Sequence, residues 1–291
     1  MTAAMNPLTL RAARAWISVP APAVNRFESA KACGAHVALV DLEDSVAPAK
    51  KQHARTIAER FFDGYETSPS LLGVRINAPV LLDGIRDIAA IADWRARPDI
   101  VLVPKVESPR DLDLVAGALD ADDYRPHLFA LIETPRAIEQ IREITRAARI
   151  SGAVFGTADY ATAVSCGMGW EPTLHARSAV ANSVAAAGLV AIDSPYFQMD
   201  DPDGLRVEAE RAKALGFHGK GAIHTRQLPV ITEVFSPSEQ DIADARTILG
   251  AGRDSGNNIT SVGGQMVGRP FFTRAQNLLA QVDTQREGQP Q

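Results

Sequence analysis

At 291 residues, with 46% apolar and 22% charged side chains, the chain has ordinary globular composition, without the bias that marks a disordered chain or a fibre, and its length permits one large domain. The formal charge of -5 is spread without a basic run, which argues against nucleic acid or an anionic membrane surface as partner and leaves small-molecule chemistry. Two cysteines, Cys33 and Cys166, are too far apart in sequence for a CxxC or zinc spacing, and no stretch reaches the roughly 18 apolar residues of a membrane span. A cytoplasmic setting is expected.

Residues 1 to 10 read as a flexible N-terminal arm. From there to residue 235, short β-branched runs alternate with helix-like segments. Eight runs stand out: AWISV (15 to 19), HVALVDLED (36 to 44), LGVRIN (72 to 77), DIVLVPKV (99 to 106), HLFALIET (127 to 134), GAVFG (152 to 156), LVAIDSPY (189 to 196) and GKGAIH (219 to 224). Helical segments are expected between them over 49 to 62, 135 to 148 and 202 to 215, with Pro135 and Pro202 in first turns and Gly216 as a stop. Eight βα units predict an α/β fold, a (β/α)8 TIM barrel over residues 11 to 235. Residues 236 to 291 read as a C-terminal helical extension packed on the barrel or on a neighbouring subunit. It comprises a helix opened by Ser236-Pro237 and ending near Leu249, a Gly/Asn-rich stretch over 250 to 264, and a helix near 271 to 282.

A parallel barrel carries its active site at the C-terminal ends of the strands, and here those ends are polar. Asp41, Glu43 and Asp44 close the second run, Arg75 and Asn77 the third, Lys105 and Glu107 the fourth, and Glu133 the fifth; Asp159 follows the sixth, Asp193 lies in the seventh, and His224 ends the eighth. One such carboxylate could simply cap the next helix, but six consecutive polar ends require a cation and a charged ligand to offset them. Glu133 and Asp159 are the expected metal ligands, since Mg2+ commonly takes one or two protein carboxylates, and Mn2+ can substitute. Both would also contact a 2-oxo acid substrate through the shared ion. Gly156 is expected to allow a tight turn before Asp159.

Arg75 offers a planar fork suited to a substrate carboxylate or enolate, which makes it both a binding and a catalytic candidate. Glu43 and Asp44 are expected to act as acceptors for metal-held water or as a proton relay. Lys105 could form a Schiff base, but Glu107 two residues on and the other nearby carboxylates would stabilise its ammonium form, so it reads as an ion-pair partner. His224 is a candidate general base. No GxSxG, P-loop, GxGxxG after a strand or HExxH motif is present.

In order, VDLEDSVAPAKK, VRIN, LVPKVES, LIETPRA, GTADYA and GKGAIHTRQ resemble the motif set of the citrate lyase beta subunit and malyl-CoA (citramalyl-CoA) lyase family of metal-dependent 2-oxo acid aldolases, from about Arg14 to Ala280. The resemblance implies a Mg2+-dependent barrel, a trimer or hexamer of identical chains, and a 3-hydroxyacyl-CoA substrate such as malyl-, citramalyl- or citryl-CoA, split into an acyl-CoA and a 2-oxo acid. It matches Glu133 and Asp159 to the metal ligands, Arg75 to the substrate-binding arginine, and Glu43 with Asp44 to the acidic pair of the second strand. Two departures stand out. Pro20-Ala21 replaces a Pro-Gly pair, and Gly263-Gly264-Gln265-Met266-Val267-Gly268 replaces an Asp-Gly-Lys-Met-Val-Asp pattern that supplies the proton-transfer carboxylate of acyl-CoA-cleaving relatives. Loss of both aspartates opens two alternatives: an aldolase for free 4-hydroxy-2-oxo acids, and a ligand-binding relative without catalysis.

Overall fold

The computed structural model describes residues 7–64 and 68–287, which fall into two compact units, 13–235 and 7–12 with 236–287. In the first unit eight parallel strands close in chain order: β1 (Ala15–Pro20), β2 (Val37–Asp41), β3 (Leu71–Arg75), β4 (Ile100–Val103), β5 (His127–Ile132), β6 (Ile150–Phe155), β7 (Val190–Asp193) and β8 (Gly219–Ala222), with β8 returning to β1. This is the expected (β/α)8 barrel. Strands β2, β4 and β7 are buried along their whole length, as parallel strands covered on both faces must be, and this is why they read as unbroken apolar runs.

The second unit holds α1 (Pro7–Ala12); the barrel carries α2 (Phe27–Ala32), α3 (Lys51–Ala58), α4 (Leu82–Asp93), α5 (Pro109–Leu119), α6 (Pro135–Glu139), α7 (Ile141–Ile144), α8 (Thr157–Ala163), α9 (Trp170–Ala186), α10 (Pro202–Leu215) and α11 (Leu228–Phe235). Several starts are chemically specified. Ser108 and Asp111 form a reciprocal capping box on α5, Thr134 accepts the Ala137 N–H ahead of Pro135 on α6, and Asp201 caps α10, which stops at Gly216 in a left-handed conformation (φ 103). The helix expected over 49 to 62 is α-helical only as α3 and continues as a 3-10 turn, Glu59–Phe62. The helix expected over 135 to 148 divides at Gln140 into two short helices.

Period-two alternation sorts the strands into two faces. Ile17, Val40, Val74, Val103, Ala130, Phe155 and Ala191 belong to the outer core beneath the helices. Trp16 and Phe129 instead point inward from opposite strands and meet edge to face at 4.8 Å. Phe129 needs Gly152 beside it, because a Cβ there would lie 2.3 Å from the ring.

At the N-terminal ends of the strands, side chains terminate the ladder. His36 Nδ1 accepts the Ala15 N–H at 3.3 Å, His218 Nδ1 the Ala191 N–H at 3.1 Å, and Asp99 the Leu72 N–H at 2.9 Å. Burial, helped by the charge of Arg14, depresses the His36 pKa to about 4, so the fold keeps the imidazole neutral. An unfolded histidine takes its proton near 6.5. Stability from this group is therefore complete above about pH 6.5 and is lost as pH falls towards 4, by at most about 3 kcal/mol. Urea midpoints measured from pH 7 to 4 should fall along this limb and flatten in His36→Asn; equal slopes would discount the histidine.

In the second unit, α1 lies against α13 (Arg269–Glu287), so the arm expected over 1 to 10 is helical from Pro7, and residues 1–6 lie outside the described part. The helix expected from Ser236-Pro237 starts instead at a Ser238 capping box, as α12 (Glu239–Asp254). It runs through Gly250 and Gly252 because Gly252 packs under the Phe272 ring, an interaction that outweighs glycine's roughly 1 kcal/mol helix penalty. The expected loop beyond holds a hairpin, β9 (Thr260–Val262) and β10 (Gln265–Val267), turned by Gly263 and Gly264 at φ 59 and 84. Among the described residues, no helix is long and apolar enough to cross a membrane.

Candidate active site at the barrel mouth

The inward face of β2 and β3 ends in a paired Asp and Arg. Asp41 stands opposite Arg75 in the parallel register, and the Arg75 Nε and Nη2 donate to the two Asp41 carboxylate oxygens, both at 2.7 Å. The Asp41 carboxylate also accepts the backbone N–H of Glu43 at 2.9 Å and of Ser45 at 3.3 Å. Burial alone would raise its pKa; the Arg75 fork and these N–H groups outweigh burial and hold it below the usual carboxylate range. One edge of Arg75 is thus committed to an internal partner. Its Nη1 comes within 2.9 Å of Glu43 Oε2 without hydrogen-bond alignment, so N–H groups on Nη1 and Nη2 remain to face the mouth.

Lys105 is the hub of the mouth. Strand alternation would place it with Val101 and Val103 on the helix side. A left-handed backbone (φ 51) breaks that alternation, at a cost of about 1 to 3 kcal/mol, and brings the ammonium among three carboxylates. Its Nζ lies 2.7 Å from Asp159 Oδ2, 3.1 Å from Glu43 Oε1 and 4.0 Å from Glu133 Oε1, and its backbone N–H donates to Glu133 Oε1 at 3.0 Å. The expected partner Glu107 is turned elsewhere, accepting the Thr134 hydroxyl at 2.8 Å beside Arg136. Burial would lower the Lys105 pKa, but Asp159, Glu133 and Glu43 outweigh it and raise it above the ordinary lysine value, the reverse of what imine formation requires.

The charges do not balance. With all four carboxylates ionised, Asp41, Glu43, Glu133 and Asp159 would face only two cations, Arg75 and Lys105, with two negative charges left over. Glu133, 4% exposed, feels this most: burial first, then repulsion from Glu43, pushes its pKa up to about 8 despite Lys105. Burial likewise raises Glu43. Glu133, just past the end of β5, and Asp159, in the first turn of α8 after β6, both reach towards the position of one ammonium, so one cation could contact both. Their all-oxygen donor set suits a hard divalent ion. Among the described residues no group of three or more His, Cys, Asp or Glu is placed to hold a metal ion by itself.

Gly156 does not serve the turn expected of it. Its φ is -104, open to any residue; it is required because a Cβ would fall 2.6 Å from Glu133 Cβ and 2.7 Å from Glu133 Oε2. Asp193 does not reach the mouth. It shares the outward side of β7 with Ala191 and is fully buried between Arg177 at 2.9 Å and Lys220 at 2.6 Å. Asp44 is exposed on the β2 turn, where its charge raises the Glu43 pKa. His224 caps the turn after β8, its Nδ1 accepting the Arg226 N–H at 3.1 Å, so in the neutral ring the proton is on Nε2 and neither nitrogen is a free base. Asp41 was missed as the anchor of Arg75, although the signal was present: an Asp and an Arg close consecutive runs.

Residues 15–225 match the HpcH/HpaI aldolase/citrate lyase family. The citrate lyase subunit beta of Leuconostoc mesenteroides subsp. cremoris is 30% identical over 94% of each chain, and a (3S)-malyl-CoA thioesterase of Cereibacter sphaeroides is 31% identical over 93% of this chain and 94% of its own. The crystal structure of the protein CitE from Mycobacterium tuberculosis in complex with magnesium, acetoacetate and coenzyme A superposes with a TM-score of 0.80 at 31% identity, covering 94% of this chain and 99% of that one. With the closed barrel and its carboxylate-rich mouth, these likenesses establish that the chain belongs to the HpcH/HpaI aldolase/citrate lyase family.

Proposed function

We propose that the chain is a Mg2+-dependent carbon-carbon lyase, cleaving or forming a 3-hydroxyacyl-CoA such as malyl-, citramalyl- or citryl-CoA, with an acyl-CoA and a 2-oxo acid as the other side of the reaction. The carrying observation is the excess of buried carboxylate around Lys105, which an acid substrate can approach only if a cation is also present. Support comes from relatives named for citrate lyase and malyl-CoA chemistry and from a solved relative holding magnesium and coenzyme A. Glu133 and Asp159 would hold the ion, whose chemistry is Lewis-acid stabilisation of the enolate oxygen of the 2-oxo acid. Arg75, fixed by Asp41, presents its remaining N–H groups to the oxo-acid carboxylate. Lys105 offsets the charge of Asp159 and Glu43, and Glu43 in turn steadies Lys105 and Arg75. The same reading carries a homo-oligomer of three or six chains in the cytoplasm.

The test is release of pyruvate, glyoxylate or oxaloacetate from a panel of CoA thioesters and free hydroxy-oxo acids with Mg2+. Turnover of a CoA thioester that EDTA abolishes, with protein mass unchanged after borohydride and substrate, is expected. Metal-independent turnover with an adduct on Lys105 would overturn the reading. Glycine at positions 263 and 268, where acyl-CoA-cleaving relatives carry aspartate, favours a second reading, an aldolase for free 4-hydroxy-2-oxo acids; the same panel separates the two.

Gly156→Ala tests the metal position while leaving the chemical identity of both ligands unchanged. The added methyl must displace Glu133, so magnesium affinity by calorimetry should fall at least about tenfold, a cost of roughly 1.4 kcal/mol, while the barrel still folds. Unchanged affinity would remove Glu133 from the ion.

A further inference from the structure

The turn that carries Glu43 is held from behind by Lys51. This residue opens α3, and its ammonium donates to the carbonyl oxygens of Leu42 at 2.8 Å and Glu43 at 2.7 Å and to Asn77 Oδ1 at 2.6 Å, using all three of its N–H groups. Asn77, two residues beyond Arg75, donates its Nδ2 to the same Leu42 carbonyl at 2.9 Å and to Asp87 Oδ2 at 2.6 Å; its backbone N–H meets that oxygen at 2.8 Å. Asp87 is fully buried and pairs with Arg55 at 2.7 Å. The exits of β2 and β3 are thereby tied to α3 and α4 through one polar network.

Lys51 sits against local preference. The first turn of α3 has no acidic residue and no side-chain cap, and a cation there faces the positive end of the helix dipole. A lysine free to choose would extend into solvent. This one is half-buried and saturated, and two of its three acceptors are the carbonyls flanking the Glu43 peptide. Glu43 is hydrogen-bonded on both sides, its N–H to Asp41 and its C=O to Lys51, and its side chain lies between Arg75 and Lys105.

We propose that Lys51 is a positioning residue for the mouth: it fixes the peptide of Glu43 and, through Asn77, the strand end that carries Arg75. The inference rests on reading the mouth as the lyase site. It acts through Glu43, so its loss and the loss of the Glu43 charge should not be independent.

The experiment is a double-mutant cycle of Lys51→Met with Glu43→Gln in the full-length protein, read as kcat, KM and magnesium affinity, together with hydrogen exchange of the amides of residues 43–46. Lys51→Met should lower kcat by about 10^2-fold, the scale of an ångström-sized misplacement, with magnesium affinity unchanged. In the Glu43→Gln background the same change should add little, since the group it positions is already altered. Amide exchange over 43–46 should accelerate while exchange in β5 and β6 stays at the wild-type rate. Multiplying losses, an unchanged kcat, or unaltered exchange over 43–46 would each overturn the proposal. A wild-type protein with no lyase turnover would sink the functional reading instead, and exchange would still decide the role of Lys51 because it needs no substrate.

Discussion

Glu133→Gln is expected to abolish magnesium-dependent turnover while leaving the metal-free protein more stable than wild type. Both effects share one cause, a carboxylate buried to 4% exposure with too little positive charge around it. Its folded pKa, about 8, lies above the ordinary glutamate value, so the fold disfavours the charged form. Stability from this group is present below about pH 4.5 and is lost as pH rises towards 8. Without metal, wild-type urea midpoints should therefore decline across that window, and the Gln variant, which cannot ionise, should not show the decline. Magnesium reverses the comparison: an ion that binds only the native state adds about 2.7 kcal/mol at a hundredfold excess over its dissociation constant, and the variant should gain none of it. Loss of a Lewis acid worth several kcal/mol should lower turnover by at least about 10^3-fold. Asp159→Asn should lose the same turnover without the gain in stability, because Asp159 is far more exposed. A Glu133→Gln protein that keeps its magnesium-dependent stabilisation would disprove the ligand assignment.

The barrel was legible because parallel strands covered on both faces are largely apolar, so strands such as β2, β4 and β7 stand out as β-branched runs between polar loops, whereas β8, Gly-Lys-Gly-Ala, is marked only by its place as the eighth unit. Its helices are less so: nothing local marks Gln140 as a break, and Ser236-Pro237 and Ser238 with Asp241 offer competing starts for α12, of which the structure uses the second. In the tail, glycine suggests loop, but tertiary packing on Phe272 holds α12 together through Gly252, and the adjacent Gly263-Gly264 pair is a hairpin signal in the sequence.

At the mouth, residue type and strand-end position picked out Arg75, Glu43, Glu133 and Asp159, which the fold gathers around Lys105. Two facts could not be read without coordinates. Period two decides which side of a strand a residue takes, and a short run leaves that phase undetermined, so sequence alone does not show that Asp193 points to the helices and not into the mouth. Lys105 enters the mouth only because its backbone leaves the strand region, and no residue preference announces a left-handed lysine. The Lys51, Asn77 and Asp87 network was equally hidden, since its successive members stand 26 and 10 residues apart and follow no period.

Gly268→Asp should raise turnover of a malyl-CoA-like thioester by about 10^2 to 10^4-fold, the range of a positioned general acid or base. Cleavage returns a proton to the acyl carbon and condensation removes it, and a glycine can do neither. The resemblance to acyl-CoA-cleaving relatives assigns that group to the segment that here forms the β9–β10 hairpin, with glycine at both acidic positions. The two glycines are not equivalent. Gly263 sits at φ 59 in the turn, where a side chain costs about 1 to 2 kcal/mol, although aspartate tolerates that region better than most. Gly268 has no positive φ, and an added Cβ meets only Ile259 Cγ1, at 3.4 Å, an ordinary contact. Gly268→Asp should therefore fold as wild type, whereas Gly263→Asp should show a lower urea midpoint together with any gain in rate. If wild type already cleaves such a thioester at a typical enzymatic rate and neither variant improves it, the base lies elsewhere. His224 would then be a poor substitute, because its Nδ1 lone pair is engaged by the Arg226 N–H. Asp44, exposed on the β2 turn beside Glu43, would be the group to remove next, and Asp44→Asn should then lower kcat with little change in magnesium affinity.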